Sequence, residues 1–173
     1  MYILAGGGVC SNVVIDGEST AVTTTVYGFA LSGDYQASNV VVQNITTSGT
    51  VIGFYVFQSD ATGHNITVKN IDQTDASNAR GVLVDDAADR TVLTGVTVND
   101  VDNTDTAANS WGIELVGNAD NVVVTGIMVT GCSGTGILVN TNCDNCTIEG
   151  RSTNNGTNKT DSGTATNDRV DST

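Results

Sequence analysis

The feature that most constrains this chain is a repeat: two short patterns return along it about every 27 residues. One is a glycine followed by alternating apolar residues, starting at Gly28, Gly53, Gly81, Gly112 and Gly136. The other reads NVVIDG from Asn12, NVVVQN from Asn39, NITVKN from Asn65, RTVLTG from Arg90, NVVVTG from Asn121 and NCTIEG from Asn145. A unit of this length holds two strands and their turns, and it cannot bury an apolar face alone. It must stack.

Apolar residues alternate within both patterns, which is the period of a strand. Aligned on their first residues, the second patterns give two inward columns: Val13, Val40, Ile66, Thr91, Val122, Cys146, and Ile15, Val42, Val68, Leu93, Val124, Ile148. The glycine-led patterns give Phe29, Phe54, Val82, Ile113, Ile137 and Leu31, Val56, Val84, Leu115, Val139. Gly17, Asn44, Asn70, Gly95, Gly126 and Gly150 close the second pattern as a bend column. Left-handed backbone is expected there, because Gly and Asn reach it at least cost. Composition agrees, with 24 Val and 26 Thr against 6 Leu, and with 18 Asn, 20 Gly and no Pro. β-Branched residues favour pleated surfaces over helices.

The fold expected is all-β: a right-handed parallel β-helix, or β-solenoid, of about six rungs averaging 27 residues. Strand–crossover–strand connections are right-handed, and the strict six-residue period of a left-handed coil is missing. Residues 1–150 form the parallel β-helix, and 151–173 form a polar C-terminal tail or cap. The stretch from Val98 to Trp111 is the largest protrusion. The start at Met1, MYILAGGGVC, carries no polar cap, so the coil is expected to continue upstream or to abut a neighbour.

The rungs resemble the right-handed β-helix of the pectate-lyase-like superfamily, and are most similar to the β-helical bodies of phage tailspike and tail fibre proteins. The likeness covers about residues 2–150 and rests on the D/N-N-V-x-V-x-G/N-I bends and the ending NNGTNKTDSGT. No particle-binding head or separate trimerisation domain accompanies the coil, so the likeness is to a shaft or a fragment. It implies a structural or adhesive segment at a virion surface or otherwise extracellular, contacting host-surface polysaccharide. The same superfamily includes depolymerases. A polysaccharide depolymerase (glycoside hydrolase or lyase) and a bacterial surface-filament subunit therefore stay open as alternatives.

Charge and residue usage narrow the partners. With 19 acidic and 6 basic residues the net charge is −13, which argues against nucleic acid. No apolar run reaches the roughly 18 residues of a membrane span, so no membrane insertion is expected. No cofactor and no metal is expected. Cys143-x-x-Cys146 and Cys132 lack the second pair that a zinc site wants, leaving core packing or a disulfide. Cys143 aligns with Cys10, Ala88 and Ala119. His64, the only histidine, sits before Asn65 in an expected turn. The N-x-S/T matches at Asn44, Asn65, Asn145, Asn155 and Asn158 read as by-products of Asn/Thr-rich turns.

Sugar hydrolysis would need two carboxylates about 5–9 Å apart. Asp85 and Asp86 in the third glycine-led strand and Glu114 in the fourth are the acids to weigh. By alternation Glu114 points outward, diagonal to Asp85. The competing reading is an acidic, solvated surface with no catalytic residue. Tyr55, Phe57, Trp111 and Glu114 are the expected ligand-binding residues, rings stacking on sugar faces and the carboxylate accepting hydroxyls. Apolar residues also point outward: Tyr55, Leu83 and Leu138 in one column, and Val14, Val41, Val92 and Val123 in another. Such stripes mark interfaces, and three coils around one axis, a homotrimer, would cover one of them. Thr23, Thr25, Thr67, Thr97 and Thr147 share no column in this alignment, which argues against a flat ice-binding array.

Overall fold

A computed structural model describes residues 2–4, 8–17, 19–20, 24–163 and 167–172. In chain order the strands are β1 (Tyr2–Leu4), β2 (Gly8–Asp16), β3 (Ser19–Thr20), β4 (Val26–Leu31), β5 (Tyr35–Thr47) and β6 (Val51–Val56). They continue with β7 (Thr62–Gln73), β8 (Ala79–Val84), β9 (Val92–Asn103), β10 (Ser110–Leu115) and β11 (Val123–Thr130). The last are β12 (Thr135–Val139), β13 (Thr147–Thr153), β14 (Thr157–Asp161) and β15 (Asn167–Asp171). Among the described residues the helical content is one 3-10 turn at Ala107–Asn109.

Every strand pairs in parallel with the equivalent strand one rung away. The first sheet stacks β1-β4-β6-β8-β10-β12-β14, and the second stacks β15-β13-β11-β9-β7-β5-β2 with β3 beside β5. This is the expected parallel β-solenoid, with about five turns against the six rungs expected. Its core is the space between the sheets. Phe29, Phe54, Val82, Ile113 and Ile137 are fully buried in register. So are Leu31, Val56, Val84, Leu115 and Val139. The Phe29 and Phe54 rings stack at 5.2 Å.

The glycine column is not where the strands begin. Each strand of the first sheet starts one or two residues earlier, and the glycine lies within it. A Cβ at Gly28, Gly53, Gly81 or Gly112 would overlap Val42, Val68, Val98 or Val129 of the opposite sheet, and the carbonyl oxygen of the next glycine. The glycines are there because the two sheets touch at that point. Polypeptide backbone can approach that closely only where a side chain is missing.

The second sheet corrects the expected stacking. Its long strands bend at residues with positive φ, and these form three columns rather than one. The first is Asp34, Asp60, Arg90, Asn121 and Asn145, with φ of 58°, 66°, 55°, 57° and 55°. The second runs Asn12, Asn39, Asn65, Gly95 and Gly126, and the third holds Asn44, Asn70, Asp100, Gly131 and Asn154. In most rungs the three corners are five residues apart, so a pattern read from one corner looks like a pattern read from the next. The copies starting at Asn12, Asn39 and Asn65 therefore stand one corner out of step with those starting at Arg90, Asn121 and Asn145.

The expected inward residues of the described rungs still face inward, but their partners differ. Val40 and Ile66 stack on Val96, whereas Leu93 stacks on Val124 and Ile148. Left-handed backbone is present at Asn44, Asn70, Gly95 and Gly126, reaches φ 151° at Gly150, and is absent at Gly17. Cys10 pairs with Ala37, outside the Cys143 column. Thr67 and Thr97 do share a column, while Thr147 pairs with Val123 in another. Thr23 and the uncapped start at Met1 lie outside the described residues.

Side-chain amides reinforce the corners. Asn65 donates to Asn39 and Asn39 to Asn12, each at 3.0 Å; Asn70 donates to Asn44 and Asn44 to Asp16, each at 2.8 Å. An asparagine at φ near 55° presents one donor and one acceptor along the coil axis, so identical corners link into a ladder. Arg90 is the exception in its column, and its guanidinium grips Asp60 one rung away at 2.8 and 2.6 Å.

One further expectation changes. Val98 to Asn103 belongs to β9, with Val98 and Val101 fully buried, so the protrusion shrinks to residues 104–109. The polar segment after Gly150 adds β14 to the first sheet and β15 to the second.

Candidate functional site

The outward side of the first sheet carries the side chains with chemical capacity. The residue just before each glycine points outward: Tyr27, Ile52, Arg80, Trp111 and Thr135 share one register. Three positions on, Ala30, Tyr55, Leu83, Glu114 and Leu138 share another. The glycine between the two columns faces inward and so does the residue after it, which brings two outward columns onto one flat flank.

The rings cluster on the early rungs. Tyr55 stacks on Tyr27 at 5.1 Å and on Phe57 at 5.3 Å, with interplanar angles of 21° and 25°. Both neighbours cover ring surface of Tyr55, which leaves its edge and hydroxyl as the polar handle. The hydroxyl donates to the Asp85 carboxylate on the next rung. Burial, together with that carboxylate, pushes the phenol well above its ordinary range. Trp111 lies on β10, half-buried, with the Arg80 guanidinium 4.9 Å from its ring centroid. One face of the indole is thus taken by a cation.

Glu114 departs from its expected position. It shares the outward register, yet only 4% of it is exposed, and it accepts a hydrogen bond from Arg80 Nε. Leu83, expected exposed in the same column, is 7% exposed. Long neighbours on a flat sheet lie down across it and bury the shorter residues between them. Asp85 is held by Tyr55 and by the Asp86 backbone N–H at 2.8 Å. Asp86 turns away into the loop, where its Oδ1 accepts from the Asn118 backbone and amide at 2.6 and 3.0 Å. Each of the three acids considered for catalysis therefore has a structural partner. Tyr55, Phe57, Trp111 and Glu114 do share the one flank. Sequence reasoning missed Tyr27 and Arg80; their place before the glycine column, in line with Trp111, was the available signal.

Other features stand apart from this flank. Val14 and Val41 occupy one facet of the second sheet, whereas Val92 and Val123 occupy the next, so the expected valine stripe divides into two pairs. Among the described residues the exposed large apolar ones are Val9, Val14 and Met128, all on the second sheet, at 75%, 66% and 54%. His64 sits in β7 rather than in a turn, its Nδ1 2.6 Å from Thr94 Oγ1. All four cysteines are free thiols. Burial raises Cys132 to about 12 and Cys143 to about 11, and raises Cys146 too. Among the described residues no cluster of His, Cys, Asp and Glu is suited to hold a metal.

The class that fold and flank define is a parallel β-helix with an aromatic, acid-bearing outer face. Among solved structures the chain is similar to the periplasmic alginate epimerase AlgG, at TM-score 0.65 and 12% identity, over 95% of this chain and 39% of that one. A mutant of the same enzyme matches at TM-score 0.57 and 12% identity, over 94% and 46%. The likeness shows the fold, a right-handed β-helix of pectate-lyase-like type, and the chain spans under half of those proteins. The sequence matches no protein-family profile and no curated protein.

Proposed function

We propose that this chain is an extracytoplasmic β-helical module that holds polysaccharide against the outer flank of its first sheet without cleaving it. The observation that carries this reading is the row of aromatic residues on one flank, with Tyr27, Tyr55 and Phe57 stacked on the early rungs beside Asp85 and Trp111 two rungs on against Arg80. The indole face of Trp111 turned away from Arg80 and the edges of the stacked rings offer apolar surface to sugars, and Asp85 accepts their hydroxyls. Alginate, on which the similar epimerase acts, is a polysaccharide, which supports the substrate class. The binding role is preferred over depolymerase because Asp85, Asp86 and Glu114 are each engaged within the protein. In the tailspike or tail fibre setting that the sequence resembles, the module serves as an adhesive shaft, and three copies pack through the one facet of the second sheet that bears Val14 and Met128.

Polyacrylamide gels cast with host capsule or lipopolysaccharide test the reading. Wild type is retarded, Trp111→Ala is retarded less, and no reducing ends appear on incubation. Reducing ends that disappear with Glu114→Gln overturn the binding-only reading in favour of the depolymerase. Equal retardation of wild type and Trp111→Ala removes the flank as the contact. A mass of three chains in solution supports the shaft, and a monomer removes the trimer.

A further inference from the structure

We infer that the polysaccharide held on this flank is uncharged, which rests on the reading above and adds the class of sugar to it. The chain has 6 basic residues against 19 acidic ones. On the first sheet the described cations are Arg80 and Lys159. Lys159 is held at the far end by Asp161 and Asp168. Arg80 is engaged twice, on the Glu114 carboxylate and on the Trp111 ring.

Arg80 cannot turn to a ligand carboxylate without abandoning Glu114, whose side chain is 5% exposed. An unpaired carboxylate at that depth is strongly disfavoured. Asp85 meanwhile presents a second negative group on the same flank, committed to Tyr55 and the Asp86 N–H. A uronate polymer would bring one carboxylate per sugar onto a face where, among the described residues, Arg80 is already committed to Glu114 and Asp85 stands as an uncompensated anion. Like charges brought into register are repelled. A neutral hexose polymer meets no such penalty, since its hydroxyls donate to the remaining lone pairs of Asp85 while its apolar faces lie against the outer indole face of Trp111 and the edges of the stacked rings. The flank thus selects against the charge that alginate carries.

Trp111 is the only tryptophan, so its fluorescence reports on this flank alone. The intact chain is titrated with alginate, polygalacturonate, the same two polymers after reduction of their carboxyl groups to alcohols, and a neutral glucan and mannan. Neutral polymers, the reduced ones included, are expected to bind at least about tenfold more tightly than the uronates. Their binding should change little between about 20 and about 300 mM salt, over which surface charges become screened. Uronate binding equal to or tighter than that of its reduced form overturns the inference while leaving the sugar-contact reading intact. No response to any polymer, together with no retardation in the gels, overturns the sugar-contact reading and this inference with it.

Discussion

Arg80 on β8 donates its Nε hydrogen to the carboxylate of Glu114 on β10, one rung along, in a pair whose side chains are 16% and 5% exposed. Removing one partner strands the other. Arg80→Met is expected to destabilise the fold by about 3–5 kcal/mol, the usual cost of orphaning a buried charge. Arg80→Met combined with Glu114→Leu should recover most of that loss, because an apolar pair of similar volume needs no desolvation. Urea melts of the single and double variants measure the difference. Equal melts for both would show that the carboxylate finds water.

The corners and the glycine column make opposite demands on a glycine. Gly126 has φ 64° and stacks on Gly95, which itself stacks on Asn65. Gly126→Asn should change stability by less than about 0.5 kcal/mol, since asparagine occupies that column at Asn39 and Asn65. Gly126→Val should cost about 1–2 kcal/mol, because a β-branched residue resists left-handed backbone. Gly81→Ala should cost about 1–3 kcal/mol through overlap with Val98 and the Gly112 carbonyl, an overpacking effect. Thermal melts rank the three.

Asp72 and Asp102 are register partners on adjacent rungs, and Asp72 Oδ1 is buried without a hydrogen-bond partner. Burial, and then the Asp102 charge, raise the Asp72 carboxyl above its ordinary value. A raised carboxyl favours the protonated fold. Its stabilising contribution is complete below the unfolded value near 3.9 and disappears as pH rises through the folded one. Asp72→Asn should therefore raise the melting temperature at pH 7 and leave it unchanged near pH 3. A variant that melts like wild type at both values would remove the like-charge contact.

Cys132, Cys143 and Cys146 are buried, and their thiols are raised by that burial. Thiolate is the reactive form. At pH 8 a thiol reagent should leave these three unmodified in the native protein and modify all of them in guanidinium. Cys10, half-buried on β2, is the thiol expected to react first. Mass spectrometry after brief labelling identifies which positions carry the adduct.

The sequence by itself determined the two-sheet repeat, the inward residues and part of the left-handed backbone, at Asn44, Asn70, Gly95 and Gly126, because alternation and the conformational freedom of Asn and Gly act within a few residues. Phe29, Phe54, Val82, Ile113 and Ile137 aligned at once, since each follows a glycine that occurs once per rung. The stacking of the second sheet was decided only by tertiary structure. Corners such as Asn65 and Asn121 look alike locally, and continuous pairing from rung to rung is what places Asn65 against Gly95 rather than against Arg90. The same holds for the flank. Alternation places Glu114 on the outer face correctly, but its burial depends on Arg80, 34 residues earlier, folding across it toward Trp111. Direction along a strand is a property of the local chain; what lies over a side chain is a property of its neighbours on other rungs.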